Sequence, residues 1–244
     1  MVPQSCALPV LITRPEEQAR RFASQVTARF GDAVSVVVSP LLAPEFFSPR
    51  LPDRAYKALI LTSETAVHAA QILMAQGVTL PEQAYCVGGH TAKVAASAGF
   101  SARSADGNAD ALFDDLMKAP HRGPYLHLRG KDTRGDLAGR LTAAGRLTDE
   151  AIVYAQIACP LSTSAAELLA TEGPVCVPVF SPRSARLLVQ ALDRLPRNAT
   201  LHIVAISAAV GPELSAVGPA TLTIASQPTA KAMLDAMGDL VFTA

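Results

Sequence analysis

The chain has no tryptophan, and aromatic residues fill only 5% of its 244 positions. Charge is also sparse, at 17%, and 21 basic residues balance 21 acidic ones. A zero net charge excludes a general nucleic-acid binder, which needs surplus cations to displace phosphate counterions. Disorder requires low hydrophobicity with high net charge, and here 50% of residues are hydrophobic. No apolar run approaches the roughly 18–20 residues that span a bilayer, so no membrane association is expected. The opening Met1-Val-Pro-Gln-Ser-Cys6 lacks a basic stretch before an apolar one, so a secretory signal is not expected either. The four cysteines, Cys6, Cys86, Cys159 and Cys176, contain no C-x-x-C pair and imply no disulfide framework. Cytoplasmic residence is the resulting expectation.

Several chemistries are missing too. The sequence contains no G-x-G-x-x-G, no G-x-x-x-x-G-K-[ST] and no G-x-S-x-G, which argues against dinucleotide, P-loop and hydrolase sites. The five histidines, His68, His90, His121, His127 and His202, form no pair at metal-ligand spacing, and no metal is expected. His127 alternates with Tyr125 and Arg129 on one strand face, where packing is the simpler role.

What is present is a rhythm: a short aliphatic run, a Ser/Thr/Pro/Gly break, then an amphipathic stretch of helical period. Leu8–Thr13 precedes Arg14–Phe30, Ala58–Leu61 precedes Ser63–Ala75, and Ala84–Val87 precedes Thr91–Ala98. The pattern returns at Tyr125–Leu128 with Thr133–Ala144, Val175–Phe180 with Pro182–Leu192, and Leu201–Ile206 with Ala208–Ala216. Strands alternating with helices predict βαβ units and a parallel sheet covered on both faces. Two extended, proline-ended segments break the rhythm, Val36–Pro44 and Ala151–Pro160. They predict an α/β protein of two doubly wound, flavodoxin-like parallel-sheet domains joined by a two-stranded linker, one domain inserted into the other. The boundaries expected are 1–38 plus 160–244 for the discontinuous domain, 44–150 for the inserted one, and 39–43 and 151–159 for the hinge linkers. A weak internal repeat, circularly permuted, pairs Ala58–Ser63 with Val177–Ser181 and Tyr125–Gly130 with Val10–Pro15.

In open α/β sheets ligands bind at the carboxyl ends of strands. Those positions here are Thr13-Arg14, Thr62-Ser63, Gly88-Gly89-His90-Thr91, Arg129-Gly130-Lys131, Ser181 and Ser207. They are hydroxyls, glycines and cations at helix starts, where free N–H groups favour anions. Ser and Thr are also the commonest helix N-caps, which is a competing reason for their presence. Arg129, Lys131 and Arg134 put three cations in one turn, and arginine can grip a carboxylate with two hydrogen bonds. A neutral chain with locally positive strand ends suits a ligand bearing several negative charges.

The combination resembles the uroporphyrinogen-III synthase family along nearly the whole chain. The carrying motifs are Ile12-Thr-Arg-Pro15, Leu61-Thr-Ser63, Val87-Gly-Gly-His-Thr-Ala92, Leu128-Arg-Gly130 with Arg134, Val153-Tyr154 and Phe180-Ser-Pro-Arg-Ser-Ala185, in matching order and spacing. The resemblance implies two α/β domains joined by a two-stranded linker. It also implies a cofactor-free cyclising dehydration of hydroxymethylbilane, a linear tetrapyrrole with eight carboxylates, with inversion of ring D. It places Tyr154 as the acid assisting hydroxyl loss and Ser63, Thr91 and Ser181 as hydroxyls facing substrate. Arg14, Arg129 and Arg134 would meet carboxylates, and Ser207 would supply a further hydroxyl. A phenol titrates near 10, so such a tyrosine is a hydrogen-bond donor and a mild acid. The implied partner is the small-molecule substrate, with transient handover from hydroxymethylbilane synthase; no nucleic acid or membrane partner is expected, and a monomer is. Two positions depart from the family pattern. The run Ile206-Ser-Ala-Ala-Val-Gly-Pro212 lacks the usual threonine, and Thr65 stands where asparagine is frequent. The competing expectation is a non-catalytic two-domain protein that binds a small polycarboxylate.

Overall fold

A computed structural model describes residues 7–133 and 135–241. Along the chain run β1 (Leu8–Ile12), α1 (Glu16–Phe30), β2 (Val34–Val38), β3 (Leu42–Phe46), β4 (Ala58–Leu61), α2 (Glu64–Ala75), β5 (Gln83–Cys86) and α3 (Gly89–Ser97). Next come β6 (Ser101–Ser104), α4 (Ala109–Met117), β7 (Tyr125–Gly130), α5 (Leu137–Ala143), β8 (Thr148–Ala158) and α6 (Thr163–Ala170). The chain closes with β9 (Gly173–Val179), α7 (Pro182–Leu192), β10 (Ala199–Ala205), α8 (Gly211–Leu214), β11 (Thr221–Ile224) and α9 (Ala230–Val241). No helix of the described residues is long and apolar enough to cross a membrane.

Two compact units emerge. The first holds the described residues up to Ala43 and from Ile157 on; the second runs from Pro44 to Gln156. The first unit's sheet has the order β11-β10-β9-β1-β2, and the second's has the order β3-β8-β7-β4-β5-β6. Numbering the first unit's strands by their own succession gives 2-1-3-4-5, the flavodoxin-like order. The second unit, leaving aside its edge strand β3, reads 3-2-1-4-5. The two orders become one when β9 is made equivalent to β4 and β1 to β7. The permuted repeat in the sequence therefore has a topological counterpart.

Each sheet is parallel wherever its β/α repeats pair, and each is buried on both faces. Alternation along a strand sends neighbours to opposite cores. On β1, Leu11 packs with Val175, Val177 and Leu188, while Val10 and Ile12 pack with Phe22, Val26 and Met233. On β4, Leu59 and Leu61 join Val67 and Leu73 from α2, while Ala58 and Ile60 join Leu112 and Leu116 from α4. Full burial of such a side chain is worth roughly 1.5–3 kcal/mol, so the continuous apolar runs hold the sheets in register.

Helix starts follow from local chemistry. Ser63, Ser162 and Ser181 cap α2, α6 and α7 by accepting the backbone N–H groups of Ala66, Ala165 and Ser184. One expected helix is absent as such. Ala208–Ala216 reads as a continuous amphipathic helix, yet it folds as a 3₁₀ turn, the four-residue α8 and a second 3₁₀ turn. Pro212 lacks an N–H and Gly211 favours no helix, so the segment breaks there. A buried arginine also organises the second unit. Arg146 donates to the carbonyls of Met117, Ala119 and His121, closing the C-terminal end of α4.

Candidate functional site

Both units carry a topological switch point, the place where successive strands turn to opposite sides of the first. In the second unit it lies between β4 and β7, and in the first between β1 and β9.

In the second unit, Ser63 follows β4 and Gly130 ends β7, with Tyr154 on the adjoining β8. The Tyr154 hydroxyl is 3.0 Å from Ser63 Oγ, which also accepts the Ala66 N–H at 3.1 Å. The pairing of β7 with β8 shifts register between Arg129 and Gly130, which sets Gly130 opposite Tyr154. The phenol lies directly over the Gly130 backbone. A Cβ built there would fall 2.7 Å from Cζ of Tyr154 and 2.9 Å from its hydroxyl. Only glycine leaves space for the ring, and the Lys131 N–H donates to the Tyr154 carbonyl at 2.8 Å to hold the strand. Tyr154 as a whole is half-buried, and its hydroxyl is held in place by Ser63.

The other expected residues of this unit take different places. Thr91 is 7% exposed, buried in the first turn of α3. Arg129 leaves β7 on the face opposite Gly130 and folds back on its own turn. Its Nη1 donates to the Gly130 carbonyl at 3.0 Å, and its Nε is 3.0 Å from Glu150 Oε2. Arg129 and Tyr154 are therefore not brought together, and Arg129 holds the turn that carries Gly130. Arg134 lies outside the described residues. His127 is 4% exposed, with Nδ1 3.2 Å from Glu150 Oε1. Burial lowers the His127 pKa, opposed in part by Glu150. His90 meets Glu64 at 3.0 Å, which ties the first turn of α3 to that of α2.

In the first unit, Arg14 follows β1 and its guanidinium lies flat over Phe180 at the end of β9, 3.9 Å from the ring centroid. The edge of Phe22 meets the Phe180 ring at 4.8 Å, fixing the platform from inside. Nη2 of Arg14 donates to Gln18 at 2.9 Å, and its Nε is buried with no hydrogen-bond partner. Burial, and then the nearby Arg21, lower the Arg14 pKa, though a guanidinium stays charged at neutral pH. The side chains that touch Arg14, Phe180 and Gln18, are neutral, and the nearby charge, Arg21, has the same sign, whereas Arg20, Arg29, Arg54, Arg103, Arg140 and Arg186 each face a carboxylate. Ser181 is committed to capping α7, with its Oγ 2.9 Å from Ser184 Oγ. Ser207 is half-buried at the start of the 3₁₀ turn after β10. Among the described residues, no group of three or more His, Cys, Asp or Glu could hold a metal ion.

Sequence reasoning missed Phe180 and Gly130 as parts of these clusters, although both fall inside the motifs quoted. The adjacency of glycine to strand-ending arginine was the available signal for the second. For Phe180 nothing in the sequence pointed to Arg14.

The sequence model of the family described as Uroporphyrinogen-III synthase HemD matches residues 23–235. The chain belongs to the uroporphyrinogen-III synthase family. It is accordingly an enzyme of tetrapyrrole biosynthesis, and nothing favours the non-catalytic polycarboxylate binder. The crystal structure of uroporphyrinogen-III synthetase from Helicobacter pylori 26695 is similar to it with a TM-score of 0.61 at 18% identity, covering 96% of this chain and 99% of that one. That likeness establishes the shared fold. Thermus thermophilus uroporphyrinogen III synthase aligns over 96% of this chain and 99% of its own, at 11% identity and a TM-score of 0.35. No curated protein matches the chain.

Proposed function

We propose that the protein acts as a lyase on hydroxymethylbilane, closing it with loss of water and inversion of ring D to give uroporphyrinogen III. The observation that supports this is a half-buried phenol, Tyr154, fixed at a topological switch point by Ser63 and seated over Gly130. Tyr154 donates its proton to the departing terminal hydroxyl, the C–O bond breaks, and water leaves. The pyrrole N–H then returns a proton to the phenolate, so no net proton is consumed and a neutral azafulvene remains. Attack by the substituted carbon of ring D, fragmentation and reclosure complete the inversion. A fixed donor suits this chemistry, because the reactive intermediate has a competing fate and positioning selects between them.

Arg14, which touches the neutral Phe180 and Gln18, lies near the like-charged Arg21 and has a buried unpartnered Nε, suits a substrate carboxylate. Ser63 and Ser181 cap the helices that follow β4 and β9, Thr91 lies in the first turn of α3, and Ser207 opens the 3₁₀ turn after β10; backbone N–H groups at the helix starts add to anion binding. The chain is proposed to work as a cytoplasmic monomer that receives its unstable substrate from hydroxymethylbilane synthase.

The test is steady-state turnover of hydroxymethylbilane by wild-type protein and Tyr154→Phe. The reading expects kcat to fall about 10²-fold or more in the variant, the scale of general acid catalysis, with substrate still bound. A Tyr154→Phe variant of undiminished kcat removes the tyrosine from the chemistry.

A further inference from the structure

We infer that Ser63 is a positioning residue that donates its hydroxyl hydrogen to the Tyr154 oxygen, turning the phenol's own hydrogen outward for delivery to the leaving group. The inference rests on the reading of Tyr154 as the proton donor and adds the direction in which the proton chain runs.

The geometry contains three atoms in series. The Ala66 N–H, in the first turn of α2, is shared between Ser63 Oγ and the Ser63 carbonyl, each at 3.1 Å. Ser63 Oγ lies 3.0 Å from the Tyr154 hydroxyl oxygen, and either could donate to the other on distance alone. A serine hydroxyl has one hydrogen and two acceptor lone pairs. One lone pair is used by Ala66. If Tyr154 donated to Ser63, the serine oxygen would receive two donors, and the phenol hydrogen would point into the protein, away from any substrate. If Ser63 donates instead, every bond points the same way, from the helix N–H through the serine to the phenol. Hydrogen bonds aligned head to tail polarise and strengthen one another. The positive end of the α2 dipole favours the same alignment, because it pushes hydrogen away from the helix terminus.

The arrangement matters most when the proton has left. The negative charge then sits on the Tyr154 oxygen, and a donor already aimed at it needs no reorganisation. Ser63 thereby passes the stabilisation of a helix N-terminus to a phenolate one hydrogen bond beyond the cap. Gly130 completes the device. It lets the ring lie flat on the backbone, where the hydroxyl is in reach of Ser63, since a Cβ at 130 would occupy that space.

Ser63 is also the N-cap of α2, so the capping role must be separated from the proton role. Threonine caps a helix and keeps a donating hydroxyl; alanine does neither. The test measures kcat and KM for Ser63→Ala, Ser63→Thr, Tyr154→Phe and the Ser63→Ala/Tyr154→Phe double variant. Ser162→Ala removes the equivalent cap of α6, in the other unit, and serves as the stability control. Expected is a fall in kcat of about tenfold for Ser63→Ala with KM nearly unchanged, recovery to within about threefold in Ser63→Thr, and no further loss when Ser63→Ala is added to Tyr154→Phe. Ser162→Ala should lower thermal stability similarly while leaving kcat intact.

Three results overturn the inference: an unchanged kcat in Ser63→Ala, a loss confined to KM, or losses that multiply in the double variant. If Tyr154→Phe falls below detection, the comparison of Ser63→Ala with Ser63→Thr decides alone. If wild-type protein forms no type III isomer, the proposed function fails first, and that outcome is distinct from all three.

Discussion

Arg14 illustrates how much one residue's role depends on a partner far along the chain. Its position after β1 is plain from the strand pattern, and arginine at a strand end already suggests an anion. In the proposed function, the stacking on Phe180 would limit the freedom of the guanidinium and hold its hydrogen-bonding edge for a carboxylate. Phe180→Leu keeps an apolar side chain but removes the platform. We expect KM for the substrate to rise about three- to tenfold with kcat little changed, the signature of lost uniform binding. An unchanged KM would mean that Arg14 needs no platform or meets no carboxylate. Arg129 shows the opposite case. It has the right residue type in a basic turn, yet its charge is spent on Glu150 and on the turn's own carbonyls. Nothing in the sequence distinguishes a cation that holds a loop from one that awaits a ligand, because Glu150 reaches Arg129 only through the pairing of β7 with β8.

The same strand pair makes a pH prediction. His127 and Arg129 both face Glu150 from β7, and burial depresses the His127 pKa below its ordinary value of about 6.5. A depressed histidine stabilises the fold fully above that value, and the contribution is lost as pH falls, because the unfolded chain then binds the proton more readily. His127→Gln should therefore narrow the difference in melting temperature between pH 7.5 and pH 5.5. An identical difference in both proteins would show that His127 does not titrate with unfolding.

Elements were legible in proportion to their burial. Strands β1, β4, β7, β9 and β10 lie inside their sheets and read as continuous apolar runs. Of the edge strands, β6 and β11 carry no such run: Ser101–Ser104 is small and polar, and Thr221–Ile224 is largely exposed. Their place is set by neighbours rather than by their own periodicity. The register shift between Arg129 and Gly130 is equally silent in sequence, yet it determines where Tyr154 stands. Gly130→Ala tests it directly. With a Cβ only 2.7 Å from the ring, the phenol must move, and kcat should drop by about tenfold or more, since displacement of a catalytic group by an ångström is costly. Wild-type kcat in that variant would show that the ring can shift without losing its function. Arg146 is a further element-scale device. Replacing it with Met leaves buried carbonyls at the end of α4 without donors, and we expect a loss of about 3 kcal/mol in chemical denaturation.

At the scale of the whole molecule, the permuted strand order explains why a chain with no dominant motif could still be read. Every soft signal, a strand followed by a hydroxyl and a helix, recurs because two sheets of related topology are made from one chain. The repeats made the α/β class and the strand ends visible. They did not reveal which strand ends lie beside a switch point, since that depends on strand order. The zero net charge leaves room for an anionic substrate, because Arg20, Arg29, Arg54, Arg103, Arg140 and Arg186 face carboxylates while the contacts of Arg14, Phe180 and Gln18, are neutral.

The central claim is that this chain closes hydroxymethylbilane with inversion of one ring. The most direct measurement supplies that substrate to the protein, oxidises the products and resolves the type I and type III isomers. The account predicts that type III dominates and grows with protein concentration. A product mixture that stays type I at every concentration would contradict it.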